Sequence, residues 1–317
     1  MPIVALRTAL ILPTLNAECD LPAWLAALKS QTFLPDKLLL VDSSSSDSTV
    51  QIAKDFGFDI HVIDRQSFSH GGTRQECVER LADSELLIFL TQDAILATPE
   101  SLARLIQWFD DPQVGAAYGR QLPRQYADPI EAHARLFNYP DQTSVRTRAD
   151  IARLGLKTSF ISNSFAAWRR RALLEVGGFP LDTIQNEDTF AASRMILAGW
   201  KVVYEAGAAV YHSHPFTIRQ EFRRYFDIGV FHARAPWIRR EFGGAGGEGI
   251  RFICSQMSYL RKVRPWAIPS AILRAAMKLI GYRLGAGEQW LPSWFKRYLS
   301  ANKSYWKQTQ PAEERHT

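Results

Sequence analysis

The first half of the chain alternates short apolar runs with segments of helical spacing. The apolar runs are 8–13, 37–42, 58–63 and 85–90, and the helical segments are 21–31, 47–56, 73–82 and 98–109. Continuous apolar runs separated by helices are typical of a parallel sheet that is buried on both faces. The pattern therefore predicts an α/β fold with a mainly parallel central sheet and helices on both faces.

The second half has a weaker pattern. A strand is predicted at 115–119, helices at 169–176 and 187–198, and two short strands at 201–205 and 208–211. The polar stretch 128–153 predicts an insertion or a mobile loop, and the chain beyond residue 215 reads as helical. We therefore expect a catalytic domain at 1–214 and a C-terminal helical region at 215–317.

Polar side chains follow three of the predicted strands. They are Thr14 and Asn16, next to Pro13, after the first, Asp42 and Ser44 after the second, and Gln92 and Asp93 after the fourth. Ligands of open α/β sheets bind at the carboxyl ends of the strands. Such residues are also common in ordinary turns, but three strand ends together favour a binding site.

Asp93 is a candidate ligand for Mg²⁺ or Mn²⁺, because these cations prefer carboxylate, phosphate and water oxygens. His212 and His214 add nitrogen donors two residues apart, after the last predicted strand. The alternative is that Asp93 caps a turn and that the histidines are ordinary loop residues.

The segment 68–74 predicts an anion-binding start of a helix. Gly71 and Gly72 would let the backbone approach a ligand, and the nearby His70 and Arg74 could contact phosphate. Neither the lysine-bearing Walker loop nor the GxGxxG pattern of dinucleotide-binding folds is present.

Glu187 and Asp188 form a pair of carboxylates at the start of a predicted helix. A carboxylate near a reacting hydroxyl can act as a general base. The alternative is structural, because acidic residues are favoured at helix N-termini, where the helix dipole also favours the ionised form.

Composition narrows the class of protein. Hydrophobic residues make up 46% of the 317 residues and charged residues 22%, which excludes a disordered chain. The three cysteines lack CxxC spacing, which argues against a disulfide framework or a cysteine zinc site and indicates a reducing compartment. No secretory signal is evident. The best candidate for a membrane-spanning helix, 266–284, is interrupted by three basic residues, so such a helix is not expected.

The positive charge is concentrated in the C-terminal region. Residues 215–317 carry 18 Lys and Arg against 7 Asp and Glu, whereas residues 1–214 carry 20 against 25. Aromatic and basic residues interleave there, as in helices that lie on anionic membranes. The alternative is that these helices pack on the catalytic domain. Nucleic acid is not expected, since no recognised binding motif accompanies the charge.

Together these motifs resemble family 2 glycosyltransferases, which have the GT-A fold, a Rossmann-like α/β architecture. The motifs, in family order, are Pro13–Asn16, Val41–Ser48, Thr91–Ala94, Gly177–Pro180 and Asn186–Asp188. Within the family, the segments Phe68–Arg74, Thr91–Ala94 and Val210–His214 are most similar to bacterial rhamnosyltransferases of O-antigen and polysaccharide assembly.

The resemblance implies a role for each matching residue. Thr14 and Asp42 match positions that hold the nucleotide base and ribose, and Arg74 matches an arginine that contacts the base or the diphosphate. Asp93 stands at the last acid of the metal-binding DxD motif, whose first acid is replaced here by Thr91. Asp188 matches the catalytic base of the inverting members, with Glu187 beside it.

The implied activity is inverting transfer of L-rhamnose from dTDP-L-rhamnose, aided by Mg²⁺ or Mn²⁺. The acceptor would be a glycan carried on polyprenyl diphosphate, and the enzyme would be peripheral at the cytoplasmic face of the inner membrane. The alternatives are another nucleotide sugar, a nucleotidyltransferase, or a non-catalytic protein of membrane-bound assembly.

Overall fold

A single nine-stranded sheet forms the centre of the molecule in the computed structural model, which describes residues 6–213, 215–244 and 247–308. The strands are β1 (Thr8–Thr14), β2 (Lys37–Asp42), β3 (Asp59–Val62), β4 (Leu86–Leu90), β5 (Ile95–Leu96), β6 (Val114–Leu122), β7 (Ser144–Arg146), β8 (Phe165–Arg169) and β9 (Lys201–Tyr211). Their order is β3-β2-β1-β4-β8-β6-β9-β5, and β7 also pairs with β9.

The sheet is parallel on one side and mixed on the other. Strands β1 to β4 pair in parallel, with Thr14 aligned to Asp42. Strand β8 lies between β4 and β6 and is antiparallel to both. The predicted α/β class is confirmed, and the antiparallel β8 has a consequence for the site. Its first residues lie at the same edge as the last residues of its neighbours.

Fourteen helices are assigned within the described ranges. They are α1 (Leu21–Lys29), α2 (Thr49–Phe56), α3 (His70–Arg80), α4 (Ser101–Ile106), α5 (Pro129–Asn138), α6 (Ile151–Leu154), α7 (Arg170–Glu175), α8 (Glu187–Leu197), α9 (Ile218–Arg234), α10 (Pro236–Phe242), α11 (Glu248–Val263), α12 (Ile268–Ala286), α13 (Ser293–Leu299) and α14 (Lys303–Gln308). None of these described helices is both long and apolar enough to cross a bilayer.

Both faces of the sheet are covered, as the continuous apolar runs predict. Along β1, Ile11 joins one hydrophobic cluster while Leu10 and Leu12 join the other, since successive side chains of a strand point to opposite faces. Helices α1, α2 and α4 cover one face. Helices α3, α7 and α8 cover the other face together with α9 and α10, so the C-terminal region shares the core of the preceding domain.

The segment 128–153, predicted as an insertion or a mobile loop, is not a mobile loop but is ordered in helices and a strand. Asp128 accepts a hydrogen bond from the backbone N–H of Ile130 and begins α5. The helix packs on α11, where His133 bonds Ser255. The segment ends in β7 and short helical turns. Residues that look solvated in sequence are held here by a partner far along the chain.

The two short strands predicted at 201–205 and 208–211 form one strand, β9. Its pairing with β6 shifts register between Gly119, opposite Glu205, and Arg120, opposite Ala209. The residues between the two registers bulge out of the ladder without ending the strand. This continuous strand carries the chain to His212 at the functional edge of the sheet.

Helices α9 and α12 pack with unusually close backbones. A Cβ atom added at Gly285 would lie 1.9 Å from the carbonyl oxygen of Phe226, and one at Gly281 would lie 2.5 Å from that of Phe222. Glu221 on α9 also pairs with Arg274 and Lys278 on α12, at 2.8 and 2.9 Å. Glycine is required at these crossings because any side chain would push the helices apart.

We expect Gly285→Ala to destabilise the protein by about 1–3 kcal/mol, the usual range for overpacking. The clash is with main-chain atoms, which cannot rotate away as a side chain can. Urea unfolding monitored by circular dichroism measures this effect.

Gly249→Ala is the matched control, because Gly249 is also helical but a Cβ there meets nothing within 4 Å. Its helix propensity should make it neutral or stabilising. Equal losses in the two variants would contradict the close packing of α9 on α12.

Candidate active site

The ends of β1 and β2 form a polar group around Asp42. Thr14 donates its hydroxyl to Asp42 Oδ1 at 3.0 Å. Ser45 donates its backbone N–H to Oδ2 and its hydroxyl to Oδ1, at 2.6 and 2.5 Å. A carboxylate has about four acceptor positions, so these three protein donors leave one on Oδ2 unfilled, in a residue that is only 1% exposed.

The loops beside Asp42 are fixed by polar side chains. Asn16 and Ser44 have positive φ angles of 50° and 57°. Asn16 Oδ1 accepts from the backbone of Ser46 at 2.9 Å, and the Ser44 hydroxyl donates to the carbonyl of Ile63 at 2.8 Å. Gln92 bonds both the N–H and the carbonyl of Leu15. Pro13, Thr14, Asn16, Asp42, Ser44 and Gln92 therefore lie at the ends of neighbouring strands, and their contact with a substrate stays a prediction.

Asp93 and His212 meet at the adjoining part of the edge. His212 Nε2 lies 3.2 Å from Asp93 Oδ2, and its Nδ1 lies 2.8 Å from Gln121 Oε1. Arg135 donates to the same Gln121 atom at 2.6 Å, and that atom must therefore be the amide oxygen. Nδ1 of His212 is then a donor, so in the neutral ring the Nε2 lone pair is the one directed at the Asp93 side.

This pair fits a divalent cation. Asp93 Oδ2 and His212 Nε2 lie 3.2 Å apart and could hold one ion once Nε2 carries no proton, and Gln121 orients the ring through its other nitrogen, as is usual for metal-ligating histidines. No cluster of three or more candidate ligands occurs within the described ranges. A cation here would take its remaining ligands from diphosphate and water. The predicted third ligand, His214, lies outside the described residues.

A third group is buried at the start of α8. Arg74 Nη1 lies 3.0 Å from Glu187 Oε1 and also donates to the carbonyl of His70 at 3.0 Å. The Arg74 and Glu187 side chains are each 6% exposed. Arg74 is thus paired with Glu187, and its predicted contact with the base or the diphosphate stays a prediction.

The glycine pair of 68–74 differs from its predicted role. A Cβ at Gly71 would lie 1.8 Å from the carbonyl oxygen of Pro180, so Gly71 allows protein backbone, rather than a ligand, to approach the helix. Ser69 caps the helix by accepting from the N–H of Gly72 at 3.0 Å. The two motifs around Gly71 and Pro180 thus pack against each other and bring α3 to Glu187.

Asn163 connects the two adjacent carboxylates. Its side-chain amide donates to Glu187 Oε1 and its backbone N–H donates to Asp188 Oδ2, both at 3.1 Å. Trp168 Nε1 donates to Asn163 Oδ1 at 2.8 Å, which fixes the amide orientation. The backbone N–H of Thr189 holds the other oxygen of Asp188 at 2.7 Å.

The two carboxyl groups have opposite pKa shifts. Burial opposes ionisation of Glu187, but the Arg74 guanidinium, His70 and the hydrogen bond from Asn163 together outweigh it and lower the pKa of Glu187. Burial, followed by the negative charge of Glu187, raises the pKa of Asp188 to about 7. The helix dipole alone predicts an ionised Asp188, but its effect of about 0.3–1 kcal/mol is too small to offset both. The Asp188 carboxyl therefore changes protonation state near neutral pH, where a general base would be effective.

The consecutive residues Ser162 and Asn163 connect the Asp93–His212 pair with the carboxylate pair Glu187 and Asp188. Ser162 accepts from the Gln121 amide that orients His212, and Asn163 holds Glu187 and Asp188. Sequence reasoning missed Gln121, Ser162 and Asn163. The available signal was the run Ser162–Asn163–Ser164 directly before an apolar strand, since polar residues before an antiparallel strand lie at the edge where its neighbours end.

The family model described as glycosyl transferase family 2 matches residues 9–177. The O-antigen chain rhamnosyltransferase RfbN of Salmonella typhimurium is 50% identical over 306 residues, which cover 96% of this chain and 98% of that protein. The O-antigen chain rhamnosyltransferase WbaN of Salmonella anatum is 48% identical over 302 residues, covering 95% and 96%.

Solved structures show the same fold at low sequence identity. The mannosyltransferase PcManGT of Pyrobaculum calidifontis, solved with GDP-Man and Mn²⁺, has a TM-score of 0.55 at 21% identity, over 95% of this chain and 85% of that one. S. aureus TarS 1-349 has a TM-score of 0.51 at 17% identity, over 89% and 91%. The GT-A fold inferred from the motifs is confirmed, and with the family model and the two relatives these likenesses show that the chain belongs to glycosyl transferase family 2.

Proposed function

We propose that the chain transfers L-rhamnose from dTDP-L-rhamnose to a lipid-linked glycan during O-antigen synthesis, with inversion at the anomeric carbon. The observation that carries the reaction type is the carboxylate pair, in which an ionised Glu187 holds Asp188 near neutral pKa at the edge that also bears Asp42 and Asp93. The choice of sugar follows the two O-antigen chain rhamnosyltransferases that are about half identical over nearly the whole chain.

The donor nucleotide is proposed to bind at the ends of β1 and β2. Asp42 retains an acceptor position for a ring N–H of thymine, and Thr14 and Ser45 orient its carboxylate. Asn16, Ser44 and Gln92 hold the surrounding loops in place. Residues 1–214 would carry this site, with 215–317 supporting it from the C-terminal side.

The diphosphate is proposed to reach the Asp93–His212 pair. A Mg²⁺ or Mn²⁺ ion bound there would neutralise the charge that develops on the leaving dTDP. The carboxylate of Asp93 and Nε2 of His212 are the two protein atoms that would hold it, and Gln121 keeps the imidazole in the ligating tautomer.

Asp188 is proposed to take the proton of the acceptor hydroxyl. The hydroxyl O–H bond breaks as its oxygen bonds to the anomeric carbon, and the bond from that carbon to the diphosphate oxygen breaks on the opposite face. The proton resides on Asp188 and the electron pair leaves with dTDP. Glu187 remains paired with Arg74 and is a positioning residue, because its charge raises the basicity of its neighbour.

A panel of nucleotide sugars tests the donor. In the presence of Mn²⁺, dTDP-L-rhamnose should raise the thermal unfolding midpoint by several degrees. A ligand at 100 times its Kd adds about 2.7 kcal/mol to the free energy of unfolding. UDP- and GDP-sugars should give smaller shifts. Asp42→Asn should lose the shift, while Asp59→Asn, at the exposed start of β3, should keep it. A larger shift of the midpoint with another nucleotide sugar would identify that sugar as the donor instead. If no nucleotide sugar is turned over, a non-catalytic protein would be favoured.

Asp188→Asn should reduce turnover by about 10²-fold or more, the scale of general base catalysis, with dTDP binding intact. The variant should also be more stable than the parent, and the gain should be larger at pH 8 than at pH 5. The pKa of Asp188 is 3.8 in the unfolded chain and about 7 in the folded parent. Between these two values the folded state holds a proton that the unfolded state has lost, so the free energy of unfolding falls as pH rises. Asparagine removes that loss.

Glu187→Gln separates the two carboxylates. Without the charge of Glu187 the pKa of Asp188 should fall, so the acidic limb of the rate profile, near pH 7 in the parent, should move to lower pH. Steady-state rates between pH 5 and 9 measure this, with the unfolding midpoint recorded at each pH. If Asp188→Asn keeps its turnover while Glu187→Gln loses it, then the base is Glu187.

Asp93→Asn should weaken Mn²⁺ binding in the presence of dTDP by about 10-fold or more, because one of two protein ligands loses its charge. Electron paramagnetic resonance of free Mn²⁺ measures the bound fraction without any turnover. Asp110→Asn, an exposed carboxylate away from this edge, is the control. Equal Mn²⁺ affinity in both variants, or full activity in EDTA, would remove Asp93 from this role.

A further inference from the structure

The long helix α12 has an apolar side that no described part of the chain covers. Its inner side contacts α9 through Gly281 and Gly285. On the outer side Ile272, Leu273, Leu279 and Ile280 are exposed by 55, 50, 56 and 48%. Their spacing places them on one side of the helix. A surface helix of a water-soluble domain normally turns its polar residues outward to solvent. Helix α12 instead turns large apolar residues outward.

Exposed tryptophans lie at both ends of this helix. Trp266 precedes α12 and is 76% exposed, and Trp290 and Trp294 follow it at 83 and 66%. Tryptophan is seldom so exposed in a soluble protein, but it is favoured at the boundary between lipid and water, where the apolar ring and the N–H group are both satisfied. We call the outer side of α12 together with Trp266, Trp290 and Trp294 the α12 face.

The charge around the α12 face is of one sign. Residues 247–308 contain eleven Lys and Arg but only two acids, Glu248 and Glu288. Glu248 pairs with Lys157 and Arg251, and Glu288 pairs with Arg234 and Lys296. In this described stretch every carboxylate side chain is therefore neutralised by cations of the protein. Exposed cations, including Lys262 near the end of α11 and Arg283 on α12, remain in this stretch.

We propose that the α12 face lies in the headgroup region of an anionic lipid bilayer. The apolar side chains and tryptophans would enter the interface, and the surrounding cations would contact lipid phosphates. A second copy of the chain fits less well, because it would bring the same excess of positive charge against itself. The proposal specifies how the proposed lipid-linked acceptor and the enzyme would meet, and to that extent it rests on the proposed function.

Vesicle flotation of the full chain tests the proposal without any sugar transfer. The protein should float with vesicles of equimolar phosphatidylcholine and phosphatidylglycerol, and less so as salt rises, because salt screens exposed charge. It should float poorly with phosphatidylcholine alone. The double variant Leu273→Glu, Ile280→Glu should reduce the bound fraction about 10-fold or more, because it places carboxylates in the apolar surface.

The matched control is Leu34→Glu, Val62→Glu, which replaces apolar residues that are each 55% exposed but lie in the first half of the chain. It should float like the parent. Absence of flotation with anionic vesicles, or equal flotation of both double variants, would overturn the proposal. So would a lipid-free dimer that the α12 variant dissociates, since the face would then bind a second copy. Unfolding midpoints and dTDP binding confirm that each variant is folded, and failure of rhamnosyl transfer would leave the flotation result unchanged.

Discussion

Two adjacent carboxyl groups in a buried site repel each other, and the centre of this protein is organised around that repulsion. Arg74, 3.0 Å away, helps to lower the pKa of Glu187, whereas burial and the charge of Glu187 raise the pKa of Asp188. Asn163 donates to both, which fixes their separation. The two neighbouring carboxyl groups therefore differ in pKa, and such a difference is what lets paired carboxylates take different roles in catalysis.

The residues that support this pair come from three separate segments. Arg74 is on α3, Asn163 precedes β8, and Trp168 within β8 fixes the Asn163 amide. The Gly177–Pro180 turn packs on Gly71, so that α3 reaches Glu187. These segments can converge because β8 is antiparallel to its neighbours, which places its beginning beside the ends of β4 and β6. An entirely parallel sheet would have put Asn163 at the opposite edge.

The C-terminal helices serve the molecule in two ways. Helices α9 and α10 complete the core on one face of the sheet, and Asp227 on α9 holds the backbone N–H groups of Ala301 and Asn302. Helix α12, by contrast, uses small residues to approach α9 and presents its large apolar residues outward. The sequence leaves packing on the domain and contact with a membrane as alternatives; the structure shows the packing, and contact of the outer side of α12 with a membrane is a proposal.

The sequence by itself determined the α/β class, most of the first-half elements, the polar strand ends and the position of the carboxylate pair. These are local properties, since hydrophobic periodicity and the residues that follow a strand are visible within a short window. Only the tertiary structure decided that Arg74 faces Glu187, that Gly71 meets Pro180, and that 128–153 is ordered by α11. It likewise decided the basicity of Asp188, because a pKa depends on burial and on charges that the chain brings together from distant positions.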